Sequence, residues 1–257
     1  MPFDEKVAIE QNEKINDKYY RLIFKSKKLA AKVSPGQFLS VQIHPSQDPF
    51  LRRPFSYYRI DQDKIHVLYE VLGRGTAMLA KKKKGDELQV MGPLGKSFKL
   101  KASKKKRVLI AGGVGVPPLV FLAEKTPIDY LLIGTKSKSE VLPQKELKKV
   151  QGKILYSTND GSYGQKGFVT QLLEEVIQKE GAENLFLQTC GPNVMMEAVM
   201  KIAARDGIEG ELSVDKPMAC AVGACLGCMV KTHDGWKTSC VEGPVFPFSV
   251  IDPKVRL

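Results

Sequence analysis

Four of the chain's five cysteines fall between Cys220 and Cys240. They read Cys220-Ala-Val-Gly-Ala-Cys225-Leu-Gly-Cys228, and Cys240 follows after eleven more residues. A C-x4-C-x2-C run with a distant fourth cysteine is a spacing at which thiolates ligate a [2Fe–2S] cluster. Four sulfurs must converge on two neighbouring irons, so the backbone has to curl tightly. Gly223 and Gly227, with the small Ala221 and Ala224, permit that curl, and glycine accepts positive φ. Cys240 is expected to close the site from a neighbouring strand. Three other chemistries remain open. Zinc takes four thiolates but usually from two C-x2-C knuckles, and only one is present. Disulfides need an oxidising compartment, which nothing in the N-terminal sequence suggests. Inert buried cysteines rarely crowd into so short a window.

Two further groups of residues are suited to phosphate. In Arg52-Arg53-Pro54-Phe55-Ser56 an arginine beside a proline-stiffened strand can pair bidentately with a phosphate, and the serine can hydrogen-bond a flat heteroaromatic ring. In Gly73-Arg74-Gly75-Thr76 a glycine-rich turn enters a short helical stretch, with Thr76 as the expected N-cap and a pyrophosphate as the natural ligand. An ordinary surface arginine and an ordinary capped turn are the bland readings of each. A third group follows the apolar run Val108-Leu109-Ile110-Ala111. There Gly112-Gly113-Val114-Gly115 leads into Val116-Pro117-Pro118, a strand, glycine turn and helix in the phosphate-binding order. It is not G-x-G-x-x-G, and the two prolines suit a helix's first turn. Cys190, outside the cluster spacing, is either a small buried hydrophobe or a neighbour of a cofactor ring.

These groups need elements to hold them. Segments 6–11, 19–24, 38–43, 56–60, 64–71 and 87–91 are short and rich in β-branched and aromatic residues. Turn signals separate them at Ser34-Pro35-Gly36, His44-Pro45, Gly85-Asp86 and Gly92-Pro93, and the pattern predicts a small antiparallel β-barrel. Past residue 106 strands at 108–111, 130–134, 154–157 and 184–189 alternate with helices at 170–180 and 194–204, which predicts a parallel open sheet. Ligands of such sheets bind beyond the carboxyl ends of the strands, so 112–115, 158–161 and 190–192 should share one edge. Met195, Met196 and Met200 read as packing residues. The expected division is a barrel over 1–102, an α/β domain over 103–211 and a cluster domain over 212–257.

Composition narrows the classes. The 257 residues are 43% hydrophobic and carry a net charge of +12. No apolar run is long enough for a membrane helix, and the first residues lack a signal-peptide pattern, so a cytoplasmic protein is expected. The basic runs 81–84 and 104–107 have no aromatics beside them, which argues for solvated loops and against a nucleic-acid face.

Taken together, the motifs resemble the ferredoxin–NADP reductase superfamily, a flavin barrel followed by a pyridine-nucleotide domain. Arg53-Pro54-Phe55-Ser56 looks like its Arg-x-x-Ser flavin motif, Gly75-Thr76 like its second pyrophosphate loop, and Cys190-Gly191-Pro192 like its turn over the flavin–nicotinamide stack. Met218-Ala-Cys220 through Cys228, then Cys240-Val-Glu-Gly-Pro-Val-Phe246, together with Met91-Gly-Pro-Leu-Gly95 and Asp160-Gly-Ser-Tyr-Gly164, is similar to one branch, the electron-transfer subunits of type B, NAD-dependent dihydroorotate dehydrogenase. The resemblance implies FAD on Arg53, Pro54, Phe55, Ser56, Glu70, Val71, Leu72, Gly75 and Thr76. It implies NAD on Gly112, Gly113, Val114, Gly115, Asp160, Cys190, Gly191 and Pro192, and a [2Fe–2S] cluster on Cys220, Cys225, Cys228 and Cys240. Glu70 departs from the pattern, since relatives often carry a basic residue there. The implied partner is an FMN-containing catalytic subunit in a heterotetramer of two plus two, serving pyrimidine biosynthesis, with no nucleic acid or membrane involved. One electron at a time through the cluster and hydride at the nucleotide require a flavin between them. No acid–base residue is nominated. The alternative is a related NAD(P)H-dependent reductase subunit serving a ferredoxin, hydrogenase or oxygenase.

Overall fold

A computed structural model describes residues 2–44, 48–101 and 104–252. The turn expected at His44-Pro45 lies partly outside them, as does the boundary drawn between 102 and 103.

The first strands are β1 (Phe3–Lys14), β2 (Tyr20–Lys25), β3 (Phe38–Gln42), β4 (Arg53–Ser56), β5 (Arg59–Asp61), β6 (Lys64–Tyr69) and β7 (Glu87–Leu94). They form one antiparallel sheet in the order β4-β3-β7-β1-β2-β6-β5. Inward residues alternate with outward ones, as a pleated strand requires, and Val7, Ile9, Leu22, Phe24, Leu39, Val41, Val67 and Val90 fill the concave side. The sheet curls without a ladder closing β4 onto β6. The rings of Phe55 and Tyr69 meet across that gap at 5.7 Å. The strand expected over 56–60 is in fact two, interrupted by Tyr57 and Tyr58, both fully buried. Tyr57 points into the sheet's own core and Tyr58 into the next one, so the chain turns between them.

Two helices belong to this region. α1 (Lys27–Ala30) is capped by Ser26, whose Oγ accepts from the Leu29 N–H at 3.1 Å. α2 (Arg74–Lys81) begins at Gly73, so the N-cap is Gly73 and not Thr76. Thr76 sits in the first turn and serves the cap from there. Its Oγ1 accepts from the N–H groups of Leu72 (3.0 Å) and Gly73 (3.2 Å).

The second sheet comprises β8 (Lys106–Gly112), β9 (Tyr130–Thr135), β10 (Lys153–Thr158), β11 (Gln165–Lys166), β12 (Leu185–Cys190) and β13 (Glu209–Ser213), with α3 (Val116–Lys125), α4 (Val169–Glu180) and α5 (Asn193–Asp206). Its order is β11-β10-β9-β8-β12-β13, all parallel. β8 shows why a continuous apolar run is needed. Leu109 and Ala111 pack under α3, while Val108 and Ile110 pack under α4 and α5. Strand order reverses between β8 and β12, so the crevice at that switch point is where a ligand of such a sheet binds.

The last segment adds a hairpin of β14 (Met229–Thr232) and β15 (Gly235–Thr238), then β16 (Val245–Pro247), which pairs antiparallel with β13. The final segment is thereby stitched into the nucleotide sheet. Cys240 lies in the turn after β15 and not on a strand.

One basic run also differs from expectation. Arg107, last of the run 104–107, is only 4% exposed. Its Nη1 donates to the Lys99 carbonyl (2.8 Å) and to Gln188 Oε1 (2.6 Å), pinning the inter-sheet connection to β12. Across the seam Arg21 donates to both carboxylate oxygens of Glu146 (3.0 and 3.1 Å), and Arg59 pairs with Glu124. With Glu146 almost fully buried, these ion pairs are desolvated and hold the two sheets in one orientation.

Candidate functional site

A cavity of about 580 Å³ opens where the curled sheet meets the switch point. Of the residues expected to hold flavin, Arg53, Pro54, Phe55, Ser56, Glu70, Leu72, Gly75 and Thr76 line it. Val71 stands beside it, exposed to solvent. Of those expected to hold nucleotide, Val114, Cys190 and Gly191 form its opposite wall. Gly112, Gly113, Gly115, Asp160 and Pro192 do not line it, so the cavity joins the flavin-side residues to one lip of the nucleotide-side turns.

The neighbouring arginines divide their work. Arg52 is spent on Asp4, with bonds of 3.0 and 2.8 Å. Arg53 remains in the cavity, steadied by the Leu51 carbonyl and laid against the start of α2. It can lie there only because residue 75 is glycine, since a methyl at that position would overlap the guanidinium. The arrangement gathers a fixed cation, a serine hydroxyl and a helix N-terminus around one hollow, which is chemistry for a phosphate-bearing aromatic ligand.

On the nucleotide side the residues 113–115 form a 3-10 turn between β8 and α3. Gly115 touches the backbone of β12's end, where a Cβ would collide with the Cys190 carbonyl. Gly112 likewise leaves room for Met195 and Pro192. Glycine at 115 is therefore a packing requirement, and the clearance brings the two turns together across the switch point. Pro192 caps α5, and Asp160 caps its own turn, accepting from the Ser162 N–H (2.9 Å) and hydroxyl (2.6 Å), which holds its carboxyl below the usual range. Asp160 does not line the shared cavity, but it stands on the same carboxyl edge, just past the end of β10.

Cys190 is a buried residue that also reaches the cavity. It is 6% exposed and packed in the core, yet its edge lines the cavity. Burial, with the Asp215 carboxylate nearby, pushes its thiol up to about 12, so it stays protonated and uncharged at neutral pH. Asp215 is open to the cavity but walled by protein, and that desolvation raises its carboxyl.

Residues 213–218 also line the cavity and run from it directly into the cysteine loop. Ala221, Gly223 and Leu226 have φ of 60°, 82° and 57°, so the loop winds back on itself three times. Cys220 Sγ accepts from the N–H groups of Val222 (3.5 Å) and Cys225 (3.3 Å), and Cys228 Sγ accepts from Cys240 (3.4 Å). Those donors favour the thiolate and bring Cys220 down to about 6. Burial pushes Cys240 up to about 12. All five cysteines are free thiols in this structure. Among the described residues no three His, Cys, Asp or Glu side chains are gathered closely enough to hold a metal ion. The loop's inner side, Ala221, Cys228 and Cys240, packs on Phe38 and Leu94 of the curled sheet.

Sequence reasoning missed Lys18, Tyr19 and Glu140, which crowd the glycine turn, and Asp215. Their partners lie tens of residues away in the chain, so no local signal marks them.

Residues 215–252 match the family described as iron-sulfur cluster binding domain of dihydroorotate dehydrogenase B. The chain is 38% identical over 248 residues to the electron transfer subunit of dihydroorotate dehydrogenase B (NAD(+)) from Clostridium acetobutylicum, covering 94% of this chain and 96% of that one. It is 36% identical over 262 residues to the same subunit from Fusobacterium nucleatum, covering 96% and 98%. Among solved structures, an NADH-dependent reduced ferredoxin-NADP oxidoreductase described for flavin-based electron bifurcation superposes with a TM-score of 0.85 at 25% identity, covering 96% of this chain and 90% of that one. A ferredoxin NADP+ reductase from Neisseria gonorrhoeae with bound FAD and NADP has a TM-score of 0.67 at 15% identity, covering 79% and 92%, and shares the fold.

Proposed function

The chain belongs to the electron transfer subunits of dihydroorotate dehydrogenase B, and we propose that it carries electrons from a dihydroorotate-oxidising catalytic partner to NAD+ through a [2Fe–2S] cluster and FAD. The observation that carries this reading is the shared cavity. Flavin-side and nucleotide-side residues face each other across it, and its wall continues into the cysteine loop.

The residues present suit the three groups. Four free thiols in a loop with amides aimed at sulfur form a donor set for Cys220, Cys225, Cys228 and Cys240 to hold iron. The cleared space at Gly75 lets Arg53 reach a flavin phosphate, with Thr76 ordering the turn and Ser56 offering a hydroxyl to the ring. Gly112 to Gly115 and Cys190 to Pro192 form the lips of the nucleotide site, with Asp160 farther along the edge. The bound flavin supplies the exchange between single electrons and hydride. The chain itself binds, orients and excludes water. Phe55, Leu68 and Tyr69 give the cavity an apolar floor, and the protonated Cys190 thiol keeps its lip uncharged. No side chain is required to transfer a proton.

The catalytic partner would dock over the cysteine loop, in a heterotetramer of two plus two. Val222, Leu226 and Val241 are exposed around that loop and form an apolar surface next to the electron entry point. Among the described residues no helix is long and apolar enough to cross a membrane. The test is reconstitution. The purified chain alone should reduce dyes with NADH but leave dihydroorotate untouched, and adding the FMN-containing catalytic subunit should restore dihydroorotate-dependent NAD+ reduction. Dihydroorotate oxidation by this chain alone contradicts the assignment.

A second reading, a reductase subunit serving a ferredoxin, is favoured by the close superposition on the ferredoxin-NADP oxidoreductase. It predicts that the chain co-purifies with an iron–sulfur partner and not with an FMN protein.

A further inference from the structure

Helix α3 adds few donors to an anion held at the glycine turn. A helix N-terminus binds phosphate through the unpaired N–H groups of its first turn. In α3 the Val116 N–H is already given to the Gly113 carbonyl, and Pro117 and Pro118 have none to give. A pyrophosphate placed there would depend on the N–H groups of Gly113 and Val114 and would find no charged side chain within 112–115.

The missing charge stands next to it on the other domain. Lys18 lies in the turn between β1 and β2, its side chain only 10% exposed. That turn is locked to the nucleotide domain. The Tyr19 hydroxyl donates to the Gly113 carbonyl at 2.6 Å, and Asn16 Nδ2 donates to the Val141 carbonyl at 3.0 Å. Beyond its chain neighbours, a side chain starting from Gly113 would find only Lys18 within 4 Å, Cε at 3.8 Å and Nζ at 4.0 Å. Lys18 Nζ pairs with Glu140 Oε2 at 3.2 Å and Glu70 Oε2 at 3.5 Å. Two carboxylates thus hold one ammonium beside a glycine turn that brings no charge of its own. An ammonium on a flexible stem can exchange such partners without moving the backbone.

We infer that Lys18 is a binding residue for the diphosphate of the pyridine nucleotide, held beside Gly113 by Glu140 and Glu70 until the phosphates take their place. The inference rests on the proposed nucleotide site and adds a residue from the flavin domain to it. It also gives Glu70 a role: the acid at a position where relatives carry a base anchors a base supplied from elsewhere.

The test is calorimetric binding of ADP-ribose, which has the diphosphate but no redox chemistry, to the FAD-loaded chain. Lys18→Met should weaken binding about tenfold or more, the scale of a lost charge-assisted hydrogen bond, and flatten its dependence on salt. Lys18→Arg should keep most of the affinity. Glu140→Gln removes a competitor for the ammonium and should leave binding equal or tighter. A mere latch between domains makes the opposite prediction, since Lys18→Met and Glu140→Gln would then weaken binding and lower Tm together. That result, or wild-type affinity in Lys18→Met, overturns the inference while leaving the nucleotide site in place. Failure of the wild-type chain to bind ADP-ribose at all would overturn the nucleotide site and the inference with it.

Discussion

In the cysteine loop the four sulfurs come from one stretch, 220–240, whereas the nucleotide edge draws on turns spread over residues 112–192. The glycines differ in the same way. Gly227, in the loop, has nothing nearer to its absent side chain than the Cys225 sulfur at 3.6 Å. Gly115, at the edge, lies directly against the Cys190 carbonyl. The loop is specified by cysteine spacing and by the positive φ of Ala221, Gly223 and Leu226, and has room to spare at Gly227. The edge is specified by how closely two strands' ends approach, and its chemistry follows from that packing.

The comparison can be broken at several points. Cys225→Ser should have the largest effect, since it removes an exposed thiol of the proposed ligand set without disturbing a core. Iron content should fall to background while bound flavin persists, measured by metal analysis and visible absorbance. Gly115→Ala should follow, destabilising the fold by about 3 kcal/mol because backbone must move, and abolishing ADP-ribose binding. Urea unfolding measures the first and calorimetry the second. Gly75→Ala displaces the Arg53 side chain and not backbone. It should weaken FAD retention by roughly tenfold or more with little change in Tm, the scale of a lost charge-assisted bond.

A smaller effect concerns pH at the seam. His66 has no hydrogen-bond partner at either ring nitrogen. Desolvation, with Arg59, Arg21 and Lys149 nearby and only Asp61 opposing, lowers it to about 4. The unfolded chain takes up that proton near pH 6.5 while the folded chain refuses it. The contribution is present above about pH 6.5 and is lost as pH falls toward 4. His66→Gln should flatten this part of a plot of urea midpoint against pH. Gly227→Ala should do least, within about 0.5 kcal/mol and with full iron content. A large loss there would mean that the loop, like the edge, is governed by packing.

How much of the molecule could be read beforehand follows the same division. The cysteines announce themselves because ligand geometry fixes their spacing in sequence. Residues 53–56 stood out as an arginine on a proline-stiffened strand and 112–115 as a glycine turn after an apolar strand, and the strand–helix alternation marked the parallel sheet. What escaped depends on contacts between distant segments. The break at Tyr57-Tyr58 arises because two side chains enter two different cores. Arg107 looked solvated within a lysine-rich run, yet Gln188 and the Lys99 carbonyl make it a buried tie. Thr76 stands three residues past the cap because Gly73 has no side-chain oxygen to cap with, and Thr76 Oγ1 accepts from the Leu72 and Gly73 N–H groups instead. Lys18 gave no sign at all, since its partners Glu70, Gly113 and Glu140 meet it only when the two sheets pack.

The central claim is that one chain places a nucleotide, a flavin and an iron–sulfur cluster in electrical contact. An anaerobic titration of the purified protein with NADH, followed by visible absorbance, tests it most directly. The account predicts that NADH bleaches both a flavin chromophore and an iron–sulfur chromophore. Bleaching of flavin alone, with no iron in the protein, would contradict it and leave the thiols of Cys220 to Cys240 with a different occupant.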